Sequence, residues 1–235
     1  MPSTRTIQST LNWLASYIEQ QPTSINGLEP ALTAANLVLQ TLLSPPFAWP
    51  FNRAYVNFVA SGQDTTVAGL SNFGFIEGGN ATKQSGGNPD PLEVRLLLEG
   101  DASQGSRPRF VCEFINDDAG NITFRIVPAV NENYVVNLIT QNKPPLLQSL
   151  GYTWAPFPDE KAYIPEWGLL ALMELIGGGS RWQVYNQKFV TALLAAQGGL
   201  SDLQKNIFLA RWTSVQAQLQ GTQLSTTERF KAREV

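Results

Sequence analysis

Ile7, Leu11, Leu14 and Ile18 recur at spacings of four and three residues, which is the apolar stripe of an amphipathic helix. After a turn-rich connector over 22–30, Leu32, Ala35, Leu39 and Leu42 again share one face. Pro30 suits the first turn of this second helix, because its missing N–H has no intrahelical partner there in any case. Pro45-Pro46 stops the helix. The stiff aromatic run Phe47-Ala-Trp-Pro-Phe51 is expected to plug the end of the helical hairpin. From residue 54 the period changes. Tyr55–Ala60, Leu92–Leu98, Phe110–Ile115, Ile122–Val127 and Tyr134–Ile139 are short runs rich in β-branched and aromatic residues, with turn clusters between them. Asp117-Asp-Ala-Gly-Asn121 reads as a hairpin loop in which Gly120 supplies a positive φ, and Asn131-Glu-Asn133 as a second tight connection. The stretches over 78–91 and 100–108 read as exposed loops. No strand is followed by a crossover helix, so the region is expected to be antiparallel.

A proline-rich bridge over 143–158 leads back to helix. Asp159 is the expected N-cap, Pro165 falls near a kink or in an early turn, and Gly177-Gly-Gly179 breaks the helix after Ile176. Trp182, Tyr185, Phe189, Leu193 and Ala196 then recur at helical spacing up to Gly198-Gly199. Ser201, with Gln204 three residues on, forms a capping box for a last helix from Asp202 to about Leu219. The order of elements predicts an α+β fold: a helical bundle built from both chain ends, with an inserted antiparallel β domain that is sandwich or barrel-like. The corresponding divisions are an N-terminal hairpin over 1–53, the β domain over 54–142, C-terminal helices over 143–204, and a last helix and tail over 205–235.

Composition narrows the chemistry. Only 15% of the 235 residues are charged and 43% are hydrophobic, so part of the surface is expected to be covered by protein. The chain has no histidine, which excludes Ser-His-Asp and Cys-His catalysis and histidine-based zinc sites. Cys112 is the single cysteine. With no histidine to activate it, it reads as a buried structural thiol rather than a nucleophile. Asp117-Asp118 and Asp159-Glu160 read as a turn pair and a helix-start pair, not as carboxylates opposed across a cleft. The glycine-rich stretches match no phosphate-binding motif. No catalytic, cofactor or metal site is therefore expected. The longest apolar stretch, over 168–179, contains Glu174 and falls short of a bilayer span, so no membrane partner is expected. Six tryptophans, five of them on or beside helices, serve either the core or a subunit interface.

Charge is unevenly placed. Residues 56–158 hold ten acids and six bases, whereas 205–235 hold five bases and two acids. The polar tail beginning at Gly221 lacks the apolar area to order itself, so a partner is expected to hold it.

The arrangement PPFAWPFNRA (45–54), NITFRIVPAVNENYVVNLITQNKPP (121–145), PDEKAYIPEWGLLALMEL (158–175) and WQVYNQKFVTALLAAQGGLSD (182–202) resembles the head-to-tail adaptor proteins of tailed bacteriophages, the tubular-tail or gatekeeper-type connectors of short-tailed phages. The resemblance implies a virion neck or tail protein, assembled in the host cytoplasm as a dodecameric ring. One side of the ring meets the portal protein and the other the tail nozzle protein, and DNA passes through the lumen without sequence recognition. On that reading Lys205, Arg211, Leu224, Arg229, Phe230, Lys231 and Arg233 dock the portal. Ile7, Leu11, Leu14, Trp182, Tyr185 and Phe189 divide between the chain's own core and contacts with neighbouring copies. The rival class is a ligand- or carbohydrate-binding β-sandwich module with a helical oligomerisation part.

Overall fold

The computed structural model describes residues 3–15, 29–95, 104–105, 107–117 and 119–231; the side chains at 14–15, 104–105 and 221–231 lie outside that description. The fold is α+β, with five α-helices and a nearly closed seven-stranded sheet among the described residues. Two compact units divide the chain. One joins Met1–Phe47 to Pro144–Val235, and the other is the continuous segment Ala48–Lys143.

The first unit holds the five α-helices of the described residues: α1 (Ile7–Ala15), α2 (Ala31–Leu42), α3 (Tyr163–Ile176), α4 (Trp182–Ala196) and α5 (Asp202–Lys231). Helix α3 is the packing centre, in contact with each of the other four. Ten of its 14 residues are buried, as expected for a helix that is apolar on every side. Gly168 allows the close approach. A Cβ there would stand 3.0 Å from both Val38 of α2 and Phe189 of α4. The expected capping box is present: Ser201 N–H donates to Gln204 Oε1 at 2.9 Å, and Gln204 N–H donates to Ser201 Oγ at 3.3 Å. Helix α5 then continues to Lys231, past the expected end near Leu219. Gly221 costs such a helix only about 1 kcal/mol and does not stop it, and no proline follows.

Asp159 does not cap a helix. It opens a 3-10 turn over Asp159–Lys161, and its carboxylate instead accepts from Ser3 Oγ, Thr4 N–H and Thr4 Oγ1 at 2.8–2.9 Å. The start of the chain is thereby tied down 155 residues away in sequence, a pairing that no local signal announces.

The second unit is β1 (Arg53–Ala60), β2 (Asp64–Val67), β3 (Phe73–Lys83), β4 (Asp90–Val94), β5 (Gln104–Gly105), β6 (Phe110–Asn116), β7 (Ile122–Val127), β8 (Ala129–Val130) and β9 (Tyr134–Asn142). The main sheet runs β1-β9-β3-β4-β6-β7-β2, and β5 pairs with β8 separately. The purely antiparallel expectation is corrected here. β4 lies parallel to β6 through Glu93–Phe110 and Val94–Val111, and β5 is parallel to β8. The connection over 95–109 is long enough to return the chain to the same end of the sheet, which a parallel neighbour requires and a tight hairpin cannot supply. The loop expected over 78–91 is also corrected, since β3 runs through Gly78 and Gly79 to Lys83. β3 and the short β2, β5 and β8 went unrecognised as strands, β5 inside the loop expected over 100–108.

The glycines of β3 are packing devices. A Cβ on Gly74 would lie 2.8 Å from the Gln141 carbonyl, and one on Gly79 2.6 Å from Leu138 Cδ2. The core of this unit centres on Phe124, stacked on Phe58 at 5.2 Å and edge-on to Phe73 at 5.7 Å. The Asp117–Asn121 turn forms as expected, with Gly120 at φ 83° and Asp117 accepting from the Asn121 backbone and side chain. The aromatic run after Pro46 does not act as one plug: Phe47 belongs to the helical unit and Trp49 to the β unit.

Candidate interaction surfaces

The last helix is seated by its first half. Phe208 is buried against Phe47 at 5.1 Å and Phe189 at 6.2 Å. One turn on, Trp212 packs on Phe189 at 4.5 Å, and its indole N–H donates to Asn186 Oδ1 at 2.6 Å. Gln216 donates to the same oxygen at 2.8 Å. Arg211 Nη1 donates to the Pro45 carbonyl at 2.7 Å, three residues past the end of α2. Beside this contact lies a groove of about 570 Å³, lined by Leu37, Gln40, Pro45, Pro144, Arg211 and Val215 among others. The spacing of Phe208 and Trp212 was legible as helical. Asn186, which anchors two α5 side chains, carries no sequence signal of its own.

A second cavity, of about 350 Å³, opens between α1 and α3. Trp13 and Trp167 meet edge-on at 6.0 Å, Tyr185 stacks on Trp167 at 5.7 Å, and the Lys188 ammonium sits 4.3 Å from the Trp167 ring centre. Glu166 pairs with Arg5 at 3.0 Å. Burial raises the Glu166 carboxyl above its ordinary range, although Arg5 opposes the shift. Near the end of α3, Glu174 is 5% exposed. Its carboxylate presses on Gly179, where a Cβ would overlap Oε2. It has no hydrogen-bond or ion-pair partner among the described residues.

On the β unit, Glu77 accepts from Arg53 Nε at 2.8 Å and from Gln141 Nε2 at 2.8 Å. The arginine holds its carboxyl below the usual range. The register shift between Ile76 and Gly78 re-aims Glu77 toward that pair. Gln141, itself buried, exchanges two hydrogen bonds with the Trp49 backbone. Cys112 is fully buried on β6.

Of the residues assigned to inter-subunit contact, Ile7, Tyr185 and Phe189 are buried within the chain itself. Leu11 and Trp182 are half-buried. Leu14 lies on α1, with its side chain outside the described residues. Of the docking set, Lys205 pairs with Asp202 at 2.9 Å, and Arg211 is committed to Pro45. Leu224, Arg229, Phe230 and Lys231 lie on α5 with side chains outside the described part, and Arg233 lies outside it altogether. The large apolar side chains that the helical unit exposes include Trp13, Val184, Leu203 and Ile207. Among the described residues no group of three or more acidic, cysteine or histidine side chains could hold a metal ion, and no helix is long and apolar enough to cross a membrane. No protein-family model matches the chain, and no curated protein matches it.

Proposed function

We propose that this chain is a non-enzymatic virion protein of a tailed phage, an adaptor that joins the capsid portal to the tail nozzle. Helices from both chain ends form a bundle that serves as the body of a closed ring, and DNA passes through its lumen. The observation that carries the reading is the disproportion of α5. Thirty residues of helix span about 45 Å, yet the buried side chains described on it are Phe208 and Trp212, both in its first half. The sequence beyond residue 220 offers Leu224 and Phe230 as its large apolar anchors among basic and polar residues. A helix that is polar on every side needs a partner to be stable. A portal surface of acidic character supplies one, with the charges steering the approach and Phe230 and Leu224 giving buried contact. Neighbouring copies meet through exposed Val184, Leu203 and Ile207, because Ile7, Tyr185 and Phe189 are spent on the chain's own core. A heterologous contact that closes gives the ring.

Deletion of residues 221–235 tests the docking role. The shortened protein keeps its folded helical and β signals but no longer co-sediments with purified portal rings. Unchanged attachment with unchanged salt dependence overturns the assignment. Light scattering of the intact chain separates it from the rival small-ligand module. The adaptor is monomeric or ring-forming and gains mass on portals, whereas the module is a small closed oligomer indifferent to them.

A further inference from the structure

One patch on the outer face of the β unit carries an arrangement that neither the core nor the adaptor role uses. Strand β1 buries Val56, Phe58 and Ala60 and exposes Arg53, Tyr55, Asn57 and Val59. The register sets Asn57 opposite Asn137 of β9, and Asn137 opposite Asn80 of β3. The three amides form a ladder across the sheet: Asn57 Nδ2 donates to Asn137 Oδ1 at 2.6 Å, and Asn137 Nδ2 donates to Asn80 Oδ1 at 3.3 Å. An acceptor remains at the Asn57 end and a donor at the Asn80 end. Two residues along, Tyr55 stands opposite Ile139, and Ile139 opposite Gly78.

Tyr55 is 78% exposed, and its hydroxyl makes no hydrogen bond among the described residues. A side chain at Gly78 would meet nothing within 4 Å. The second row is therefore a lane with an aromatic wall at one end, an aliphatic floor, and open space at the other end. The amide ladder borders it on one side and the Arg53–Glu77 pair on the other. Strands about 4.8 Å apart make the lane about 10 Å long, the length of a disaccharide.

The chemistry of the patch selects its occupant. Neither row contains an ionisable side chain other than the Tyr55 phenol, and the charges at the border neutralise each other. That disfavours nucleic acid or a charged peptide. Primary amides both donate and accept, as sugar hydroxyls do. An exposed aromatic face takes the apolar C–H face of a pyranose ring. We propose that this face is a binding platform for a neutral oligosaccharide, with Tyr55 stacking on one sugar ring and Asn57, Asn137 and Asn80 bonding its hydroxyls. The site is independent of the adaptor reading.

The test is a screen of the full-length chain against an array of neutral glycans. Titration of the best binder by NMR follows, up to about 10 mM, where specific affinity remains measurable. Saturable shifts confined to β1, β9 and β3 are expected. Tyr55→Ala weakens binding about tenfold or more, as loss of an aromatic anchor does, while Tyr55→Phe retains it. Gly78→Val blocks the lane without disturbing the fold. No binding across the array overturns the proposal, as does binding that Tyr55→Ala leaves unchanged. Self-association of the chain through this face, lost in Tyr55→Ala, also overturns it, because the patch is then a contact between copies.

Discussion

The two units handle the same difficulty, a carboxylate drawn away from water, in opposite ways. In the β unit Glu77 is met by Arg53 and by Gln141, and the bulge that turns it there is part of the strand. In the helical unit Glu174 is more deeply buried and lies beside Gly179 with no partner among the described residues. A buried polar group with no hydrogen-bond partner costs free energy, so the helical unit carries a cost that the β unit avoids. The units also differ in how the chain builds them. The β unit is one continuous segment, so its contacts close loops of moderate length. The helical unit needs both ends of the chain, and its centre, α3, is covered in part by α2 from the far side of the β segment. The β unit therefore closes within its own segment, with pairings as far apart as Arg53 and Gln141, whereas covering α3 with α2 requires a closure across the whole β segment.

The largest expected effect follows from that difference. Residues Ala48–Lys143 expressed alone retain a β-sheet circular dichroism spectrum and melt cooperatively. Residues Pro144–Val235 alone do not, because Ala34, Ala35, Val38, Leu39 and Leu42 no longer cover α3. A cooperative melt of the isolated C-terminal segment would break the comparison.

Next comes Trp212→Ala. It removes a 2%-exposed indole packed on Phe189 and leaves Asn186 short of a donor. A loss of about 3–5 kcal/mol is expected in urea unfolding followed by a helix signal. Phe124→Ala should cost a similar amount, read by the β signal, and leave the helical transition in place.

The carboxylates give opposite signs. Glu174→Met is expected to stabilise the helical unit, and Glu77→Gln to destabilise the β unit, each by about 1–3 kcal/mol. Thermal melts of the two variants beside the parent protein decide it. Equal signs would show that Glu174 is compensated in solution.

The smallest effect concerns the chain start. Asp159 accepts three hydrogen bonds from Ser3 and Thr4, and these lower its pKa to about 2. The ordinary value lies near 4. A depressed folded-state value means that the contribution is present above about pH 4 and is lost as the pH falls toward 2. Asp159→Asn should lower the helical melting temperature slightly at neutral pH and flatten its fall between pH 4 and 2.

Helices were legible wherever their signals were local. The α4 span Trp182–Ala196 follows from apolar spacing, the start of α5 from the Ser201–Gln204 pair, and the β6–β7 turn from Gly120. Strand β3 was hidden because its glycines imitate a loop. Their reason is steric and lies on β9, 59 to 67 residues on, at Leu138 and Gln141. The aromatic stripe of α4 was visible too. Whether Tyr185 and Phe189 faced another copy or their own chain depended on Trp167, Phe208 and Trp212, which sit on other helices.

By itself, then, the sequence determined the helical periods, the capping box, the Gly120 turn and the α+β order, because each depends on residues within about four positions along the chain. Tertiary structure alone decided the parallel pairing of β4 with β6, the diversion of Asp159 to the chain start, the burial of Glu174 and the alignment of Asn57, Asn137 and Asn80. Each of these depends on strand register or helix packing between residues far apart in the chain. The energy of such contacts is set by what stands opposite, not by what comes next.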